Sequence, residues 1–324
     1  IIMKIDSKRK TILRIAPYPT REESGRGLHP YELSKINDCE VIYLTFFKKN
    51  ASHFSIPNNI KLHIGSFYTD SYPRNKGFLR RIIFSIYRLF KISSFSIHGI
   101  YLMIKYKVDI VHIHSAMFSI VAIVSKIFKR KTFITFHGAD FFRIENALWY
   151  RFFANYFDAV FSISPRFIKK LSKIHRCKVI QVYNGIETNI YKNFNLKRKK
   201  QILSVTHFKK QKGIKFLIEG YNLFLAKYPD YTNYNLVIAG HGILMNEMKL
   251  IIEKMNLKDK ILLVGQKNRD ELIRLYNDSE IFVLPSIWEG FAKVLVEAMS
   301  CGCKIISTKV DSAPLLLGNW GYMI

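Results

Sequence analysis

The chain has little acid. Across 324 residues, 24 Asp and Glu stand against 51 Lys and Arg, a formal net charge of +27. It also has no long uncharged stretch. A helix needs roughly 18–20 apolar residues to cross a bilayer, and the nearest approach, Ile110 to Ser125, holds two histidines and reads as a strand followed by a helix. Cysteine is scarce: Cys39, Cys177, Cys301 and Cys303 fall into no zinc-binding or disulfide-framework spacing. Cys301-Gly302-Cys303 reads as small residues in a strand–helix turn rather than a thiol pair, and the lack of a framework points to a reducing, cytosolic setting. No D-x-D triplet occurs, so a metal clamped between paired aspartates has no support. The start, Ile1-Ile2-Met3, is irregular and shows no signal-peptide pattern. No low-complexity segment is present either, which argues against a disordered chain.

What is present is a globular composition, 49% hydrophobic, in a chain long enough for two cores. Short β-rich runs alternate with helical periods almost throughout. Strands are expected over 11–16, 41–46, 60–64, 109–114, 132–136, 159–163 and 179–182, with helices over 118–128 and 146–157. Ser164-Pro165 reads as the N-cap serine and first-turn proline of a further helix. Residues 192–200 (KNFNLKRKK) are polar, basic and aperiodic, and read as a linker. The alternation then restarts, with strands over 202–205, 236–239, 261–264, 281–284 and 304–307 and helices over 214–227, 244–255, 269–276 and 291–300. Strands alternating with helices form parallel sheets. The expected fold class is therefore α/β, two doubly wound Rossmann-like domains, residues 1–190 and 191–324, with ligand sites at C-terminal strand edges facing a cleft. The basic excess lies mainly in the first: 31 Lys and Arg against 12 Asp and Glu up to Ile190, then 20 against 12. An anionic membrane, an acidic acceptor or nucleic acid would each match it.

Residues 285–303 (PSIWEGFAKVLVEAMSCGC) place two glutamates eight positions apart where a strand turns into a helix. Glutamate rarely enters a core without a partner. With the helix starting at Gly290 or Phe291, the turn Gly290-Phe291-Ala292-Lys293 offers unbonded N–H groups and the positive end of the helix dipole, a seat for phosphate. Glycine at 290 lets a ligand approach the backbone closely. Glu289 can accept hydrogen bonds from sugar hydroxyls, and Glu297, two turns along, can take a vicinal diol such as that of ribose. The plainer alternative is a carboxylate favouring a helix N-terminus plus one solvated glutamate.

The motif is not isolated. Ser286, Glu289, Gly290, Phe291, Glu297, Ala298, Met299 and Gly302 together resemble glycosyltransferase family 4, retaining nucleotide-sugar transferases of the GT-B fold. Further motifs follow in the family's order. They are Asp109 to His114, then Thr135-Phe136-His137-Gly138-Ala139-Asp140, Asn184-Gly185-Ile186-Glu187, Lys212-Gly213 at a helix start, and Gly240-His241-Gly242. The resemblance spans roughly residues 11–315. It implies that Glu289 contacts the transferred sugar, that Glu297 binds the ribose, and that the backbone of Gly290, Phe291, Ala292 and Lys293 meets the diphosphate. Lys212 would hold the β-phosphate leaving group, Gly240 would line the donor site, and His137 would touch the donor sugar rather than act as a general base. His112 and His114, alternating with apolar residues on a strand, keep a structural reading.

The departures concern phosphate binding. Where the family carries a second phosphate-clamping arginine, this chain has Thr206 and His207, so either His207, Lys209 or Lys210 stands in or phosphate binding is weaker. Ala292 replaces a common glycine and Lys304 a common proline. The N-terminal glycine-rich loop reads Gly25-Arg26-Gly27, with Arg26 a phosphate or acceptor contact. The implied chemistry is transfer with retention, with no metal and no enzymic nucleophile, the acceptor entering on the face the phosphate leaves. The family continues past the position of Ile324, so the second domain reads as truncated.

The N-terminal domain of such enzymes holds the acceptor. From Ser71 to Val108 there are eight Lys and Arg and no Asp or Glu. Within it, helical periodicity over 78–91 gathers Phe78, Leu79, Ile82, Ile83, Ile86, Leu89 and Phe90 on one side and Arg80, Arg81, Arg88 and Lys91 on the other. Such a helix either lies on an anionic bilayer or is an ordinary domain helix with its apolar side inward. Taken with the charge, the expectation is a nucleotide-sugar donor and a glycan or lipid-linked acceptor. The enzyme would work peripherally at the inner face of the cell membrane, in cell-envelope polysaccharide synthesis. Two other classes stay open. A GT-B-fold sugar-nucleotide epimerase would convert its donor with no acceptor present. A nucleic-acid binder would interleave exposed aromatics with basic residues. The aromatics here mostly follow strand and helix periods, so nucleic acid is not expected as a partner.

Overall fold

Runs such as EIFVL, with Ile281 and Val283 on one side of the strand and Phe282 and Leu284 on the other, are suited to parallel sheets buried on both faces. The structure, a computed structural model, describes residues 9–17, 28–35, 38–46, 56–65, 78–138 and 140–324. The loop Gly25-Arg26-Gly27 lies outside the described residues. The chain divides into two compact units, Ile1–Val182 and Tyr183–Ile324.

The first unit runs β1 (Lys10–Ile15), α1 (Leu28–Ser34), β2 (Cys39–Phe46), β3 (Ile60–Gly65), α2 (Phe78–Lys105), β4 (Ile110–Ile113) and α3 (Ile120–Ile127). It continues with β5 (Lys131–Phe136), α4 (Phe141–Ile144), α5 (Leu148–Ala154), β6 (Ala159–Ser162), α6 (Ile168–Ile174) and β7 (Lys178–Gln181). The sheet order is β3-β2-β1-β4-β5-β6-β7, all pairs parallel. Strand order reverses between β1 and β4, which makes that point the sheet's topological switch. Leu13, Ile15, Val111, Ile113, Ile134 and Val160 are buried along the central strands. One adjacent pair in the sheet is polar: Arg14 stands beside His112, and its guanidinium donates to Pro30 O (2.7 Å) and Ser34 Oγ (3.0 Å) of α1.

Two local expectations change here. The helix read over 78–91 continues to Lys105, because the serine-rich stretch after Lys91 is absorbed into it. Ser96 Oγ bonds back to Ile92 O (2.8 Å), and Phe95, Leu102 and Met103 are buried. Ser164 does not cap a helix through its side chain. Pro165 opens a single 3₁₀ turn, and α6 begins only at Ile168.

The second unit runs β8 (Lys199–Val205), α7 (Ile214–Lys227), β9 (Asn235–Ala239), α8 (Met245–Lys254), β10 (Ile261–Gly265) and α9 (Arg269–Asp278). It ends with β11 (Ser279–Leu284), α10 (Lys293–Ser300), β12 (Lys304–Ser307), α11 (Ala313–Leu317) and β13 (Gly321–Met323). The order is β10-β9-β8-β11-β12-β13, all parallel, with the switch between β8 and β11. A capping box starts α9, Asn268 accepting from Glu271 N and the Glu271 carboxylate from Asn268 N.

The residues read as a linker are fixed to this unit. Just before them, Tyr191 belongs to the core that holds Leu203, Phe282 and Leu295, and Ile186 and Ile190 pack against it. Arg198 donates to three carbonyls, Tyr276 O (3.0 Å), Ser279 O (2.7 Å) and Cys301 O (2.6 Å). A basic run without apolar period thus serves as a clamp. The Cys301 and Cys303 thiols are free and buried, and burial pushes them up to about 12 and about 11. They are inert at neutral pH.

Candidate functional site

The loops after β8 and β11 meet at the second sheet's switch point, and glycine makes the meeting possible. Gly213 has φ +63, and a Cβ there would lie 1.9 Å from Pro285 O. Gly240, φ +143, presses as closely on the loop after β8, where a Cβ would stand 1.7 Å from Thr206 O. Backbone bonds tie the layers together: Phe208 N donates to His241 O (2.8 Å) and Ile287 N to Gln211 O (2.8 Å).

This packing brings Lys212 onto Glu289. The ammonium donates to both carboxylate oxygens, at 2.6 and 2.8 Å, with the two side chains only 16% and 9% exposed. Ser286 Oγ adds a third bond to Oε1 (2.7 Å). The turn is braced from behind by the loop after β12. Glu289 N donates to Asp311 Oδ2 (3.1 Å), Ala292 N to Ser312 Oγ (3.3 Å), and Thr308 Oγ1 to Ser286 O (2.5 Å).

The helix itself starts later than its sequence indicates, at Lys293 rather than Gly290 or Phe291. Residues 290–292 form an extended turn in which Lys293 N bonds Phe291 O and Leu295 N bonds Ala292 O. Among the described residues, no acceptor takes the N–H of Gly290, Phe291 or Val294. Those three amides can meet an anion. The amides of Ala292 and Lys293, also expected to face phosphate, are already bonded.

Glu297 is not the solvated glutamate of the plainer alternative. It is buried in the core, accepts from Tyr276 OH at Oε2 (3.0 Å), and has Lys293 Nζ 3.9 Å from Oε1. Burial pushes its pKa up, against the opposing pull of Lys293 and of the Tyr276 and Tyr191 hydroxyls. His207 is half-buried with its ring 5.1 Å from that of His241. Burial, then His241, Lys209 and Lys212, lower its pKa, so the expected phosphate contact is a neutral imidazole.

In the first unit, His137 follows β5 and is buried, with Nε2 3.0 Å from His114 Nδ1. His112 bonds Thr135 Oγ1 through Nε2 (2.8 Å) and stays in the sheet. The sequence reading overlooked Asp311, Ser312, Tyr276 and Tyr191 as supports of the site. Asp311-Ser312 lie in the loop that follows a strand's C-terminal end at Ser307, a usable signal; the tyrosines carry none.

Residues 186–322 match the family model Glycosyl transferases group 1, and residues 39–190 match Glycosyltransferase Family 4. An uncharacterised glycosyltransferase of Methanocaldococcus jannaschii is 28% identical over 273 residues, 78% of this chain and 71% of its own length. The N-acetylgalactosamine-N,N'-diacetylbacillosaminyl-diphospho-undecaprenol 4-alpha-N-acetylgalactosaminyltransferase of Campylobacter jejuni is 32% identical over 152 residues, 46% of this chain and 36% of its own. Sucrose-phosphate synthase from Thermosynechococcus elongatus shares the fold at TM-score 0.73 and 16% identity, over 98% of this chain and 86% of that one. Among the described residues, no helix is long and apolar enough to cross a membrane.

Proposed function

Because the chain belongs to glycosyltransferase family 4 and its two α/β units are of the GT-B type, we propose that it transfers a glycosyl group, with retention, from a nucleoside-diphosphate sugar to a glycan or lipid-linked acceptor. The observation that carries this reading is the Lys212–Glu289 pair at the switch point, with the open amides of Gly290, Phe291 and Val294 close to it in the chain. As the bond to the sugar breaks, negative charge gathers on the departing diphosphate. Lys212 has three N–H donors and spends two on Glu289, so one remains for a phosphate oxygen. The turn amides supply fixed dipoles that need no reorganisation. Glu289, held by Lys212 and Ser286, presents a carboxylate to sugar hydroxyls. Glu297 takes the ribose diol, His137 contacts the sugar, and Gly240 and His207 line the phosphate side. These residues need no metal.

The Campylobacter relative's name gives it a diphospho-undecaprenol acceptor, which supports a lipid-linked acceptor here. So does α2. Its first half exposes Ile83, Ile86, Leu89 and Phe90 by 59–67% beside Arg80, Arg88 and Lys91. The proposed setting is therefore the inner face of the cell membrane, in envelope polysaccharide assembly.

Calorimetry with UDP-, GDP- and ADP-sugars tests the donor site. One nucleotide should bind selectively and lose affinity in Glu297→Ala, and Lys212→Ala should lower turnover by roughly 10²–10³. Binding by none of them, or binding untouched by both substitutions, would overturn the site. NMR of the product's anomeric centre tests the stereochemistry, an inverted centre being the adverse result.

A further inference from the structure

The first sheet has its own polar cluster at its switch point. His114 follows β4, His137 follows β5, and His29 lies in the first turn of α1. One ring nitrogen from each comes within 4.8 Å of the other two. His114 Nδ1 and His137 Nε2 are 3.0 Å apart, and the His29 ring centroid is 5.4 Å from that of His137 and 6.3 Å from that of His114. We propose that His29, His114 and His137 bind a divalent transition metal, zinc or an ion of similar preference. The family chemistry proposed above calls for no metal, and the two sites share only His137.

The donor set decides the class of ligand. An imidazole binds a metal through a lone pair and therefore must be neutral. The His114 nitrogen closest to His137 is Nδ1, which shares a hydrogen bond with His137 Nε2 that a metal would replace. The cluster of candidate donors is three imidazoles, His29, His114 and His137. All-nitrogen ligation selects zinc, copper or nickel over magnesium and calcium.

The geometry needs a small adjustment. Bonds of about 2.0–2.1 Å in a tetrahedral site set nitrogens roughly 3.3–3.4 Å apart. His114 Nδ1 and His137 Nε2, 3.0 Å apart and hydrogen-bonded without metal, need to open by only a few tenths of an ångström and give up that bond. His29, only partly buried, supplies the rest by side-chain rotation. Arg14 acts against a bare dication, since its charge reaches the same cluster. Its guanidinium is committed to Pro30 O and Ser34 Oγ, and its field favours a metal carrying an anionic fourth ligand such as hydroxide. If His137 also contacts the donor sugar, as proposed above, metal and donor compete and zinc inhibits transfer.

Cobalt(II) is the probe. Added to untagged protein without donor, it should produce the visible absorption of a four-coordinate site at one ion per chain, and zinc should abolish that absorption. Binding should weaken about tenfold or more in His29→Gln and in His114→Gln. His29→Gln, at a partly exposed position, keeps the comparison valid should His114→Gln not fold. No such absorption up to millimolar cobalt, or absorption undiminished in His29→Gln, would overturn the site. The readout involves no transfer, so it stands or falls separately from the transferase reading.

Discussion

Glu297 holds a carboxylate inside the second unit's core, and the cost depends on pH. Its pKa is raised from 4.5, chiefly by burial, so the folded chain keeps this proton to higher pH than the unfolded chain does. Stability from this group is therefore greatest below the ordinary carboxylate value, falls as pH rises towards the folded value, and is flat above it. Glu297→Gln keeps the shape and cannot ionise. Its melting temperature relative to the parent should rise from about pH 4 to about pH 7, while its donor affinity falls. A melting difference independent of pH would mean that the buried carboxylate carries no such penalty. The two glutamates were legible in the sequence because their spacing and flanking residues are local. Their partners were not. Lys212 meets Glu289 across 77 positions, and Tyr276 reaches Glu297 from another helix; only folding brings such pairs together.

At the scale of elements, α2 is the departure from ordinary packing. Its second half is anchored by Phe95, Leu102 and Met103, while Ile86 and Phe90 are 61% and 67% exposed. The helix packs on α3 and α3 on α5, and these neighbours add exposed Ile120, Ile127, Leu148, Trp149 and Phe152. Apolar side chains of this size each gain roughly 1.5–3 kcal/mol on full burial. Ile86→Glu with Phe90→Glu should therefore lower binding to vesicles containing anionic lipid at least about tenfold, with the melting temperature nearly unchanged because neither side chain packs in the core. Co-sedimentation at low salt measures it. A parent protein that ignores such vesicles, or a double variant that binds as well, would exclude a membrane role for this face. The apolar periodicity of residues 78–91 was readable, but its meaning was not, since a core-facing and a bilayer-facing stripe look alike in sequence. Element ends were harder still. The helical period was followed only to Lys91 although α2 runs to Lys105, and Arg198 resembled linker charge until its three carbonyl partners came into view.

The whole molecule should respond unevenly to acid. In the first unit, burial holds the pKa values of His112 and His114 well below their ordinary value, and that of His175 at about 4. His175 is neutral between Tyr150 OH (3.1 Å) and Ala154 O (3.0 Å). For such groups the unfolded chain binds protons that the folded chain refuses, so stability is lost as pH falls below about 6.5. His175 alone accounts for about 2 kcal/mol between about pH 7 and about pH 5, and His112 and His114 add to it. The second unit has the half-buried His207 pulling the same way, but Glu297 pulls the other way, gaining stability as pH falls towards 4.5. Hydrogen exchange at the two pH values, corrected for intrinsic rates, should therefore show protection falling first over β4–β7 while β8–β12 hold. Loss of protection in the second unit first, or equally in both, would mean that the buried imidazoles do not set the acid limit. The loss over β4–β7 also bears on the cobalt experiment. His114 and His137 belong to that region, so metal binding should weaken as pH falls both because the imidazoles take up protons and because the strands that hold them loosen.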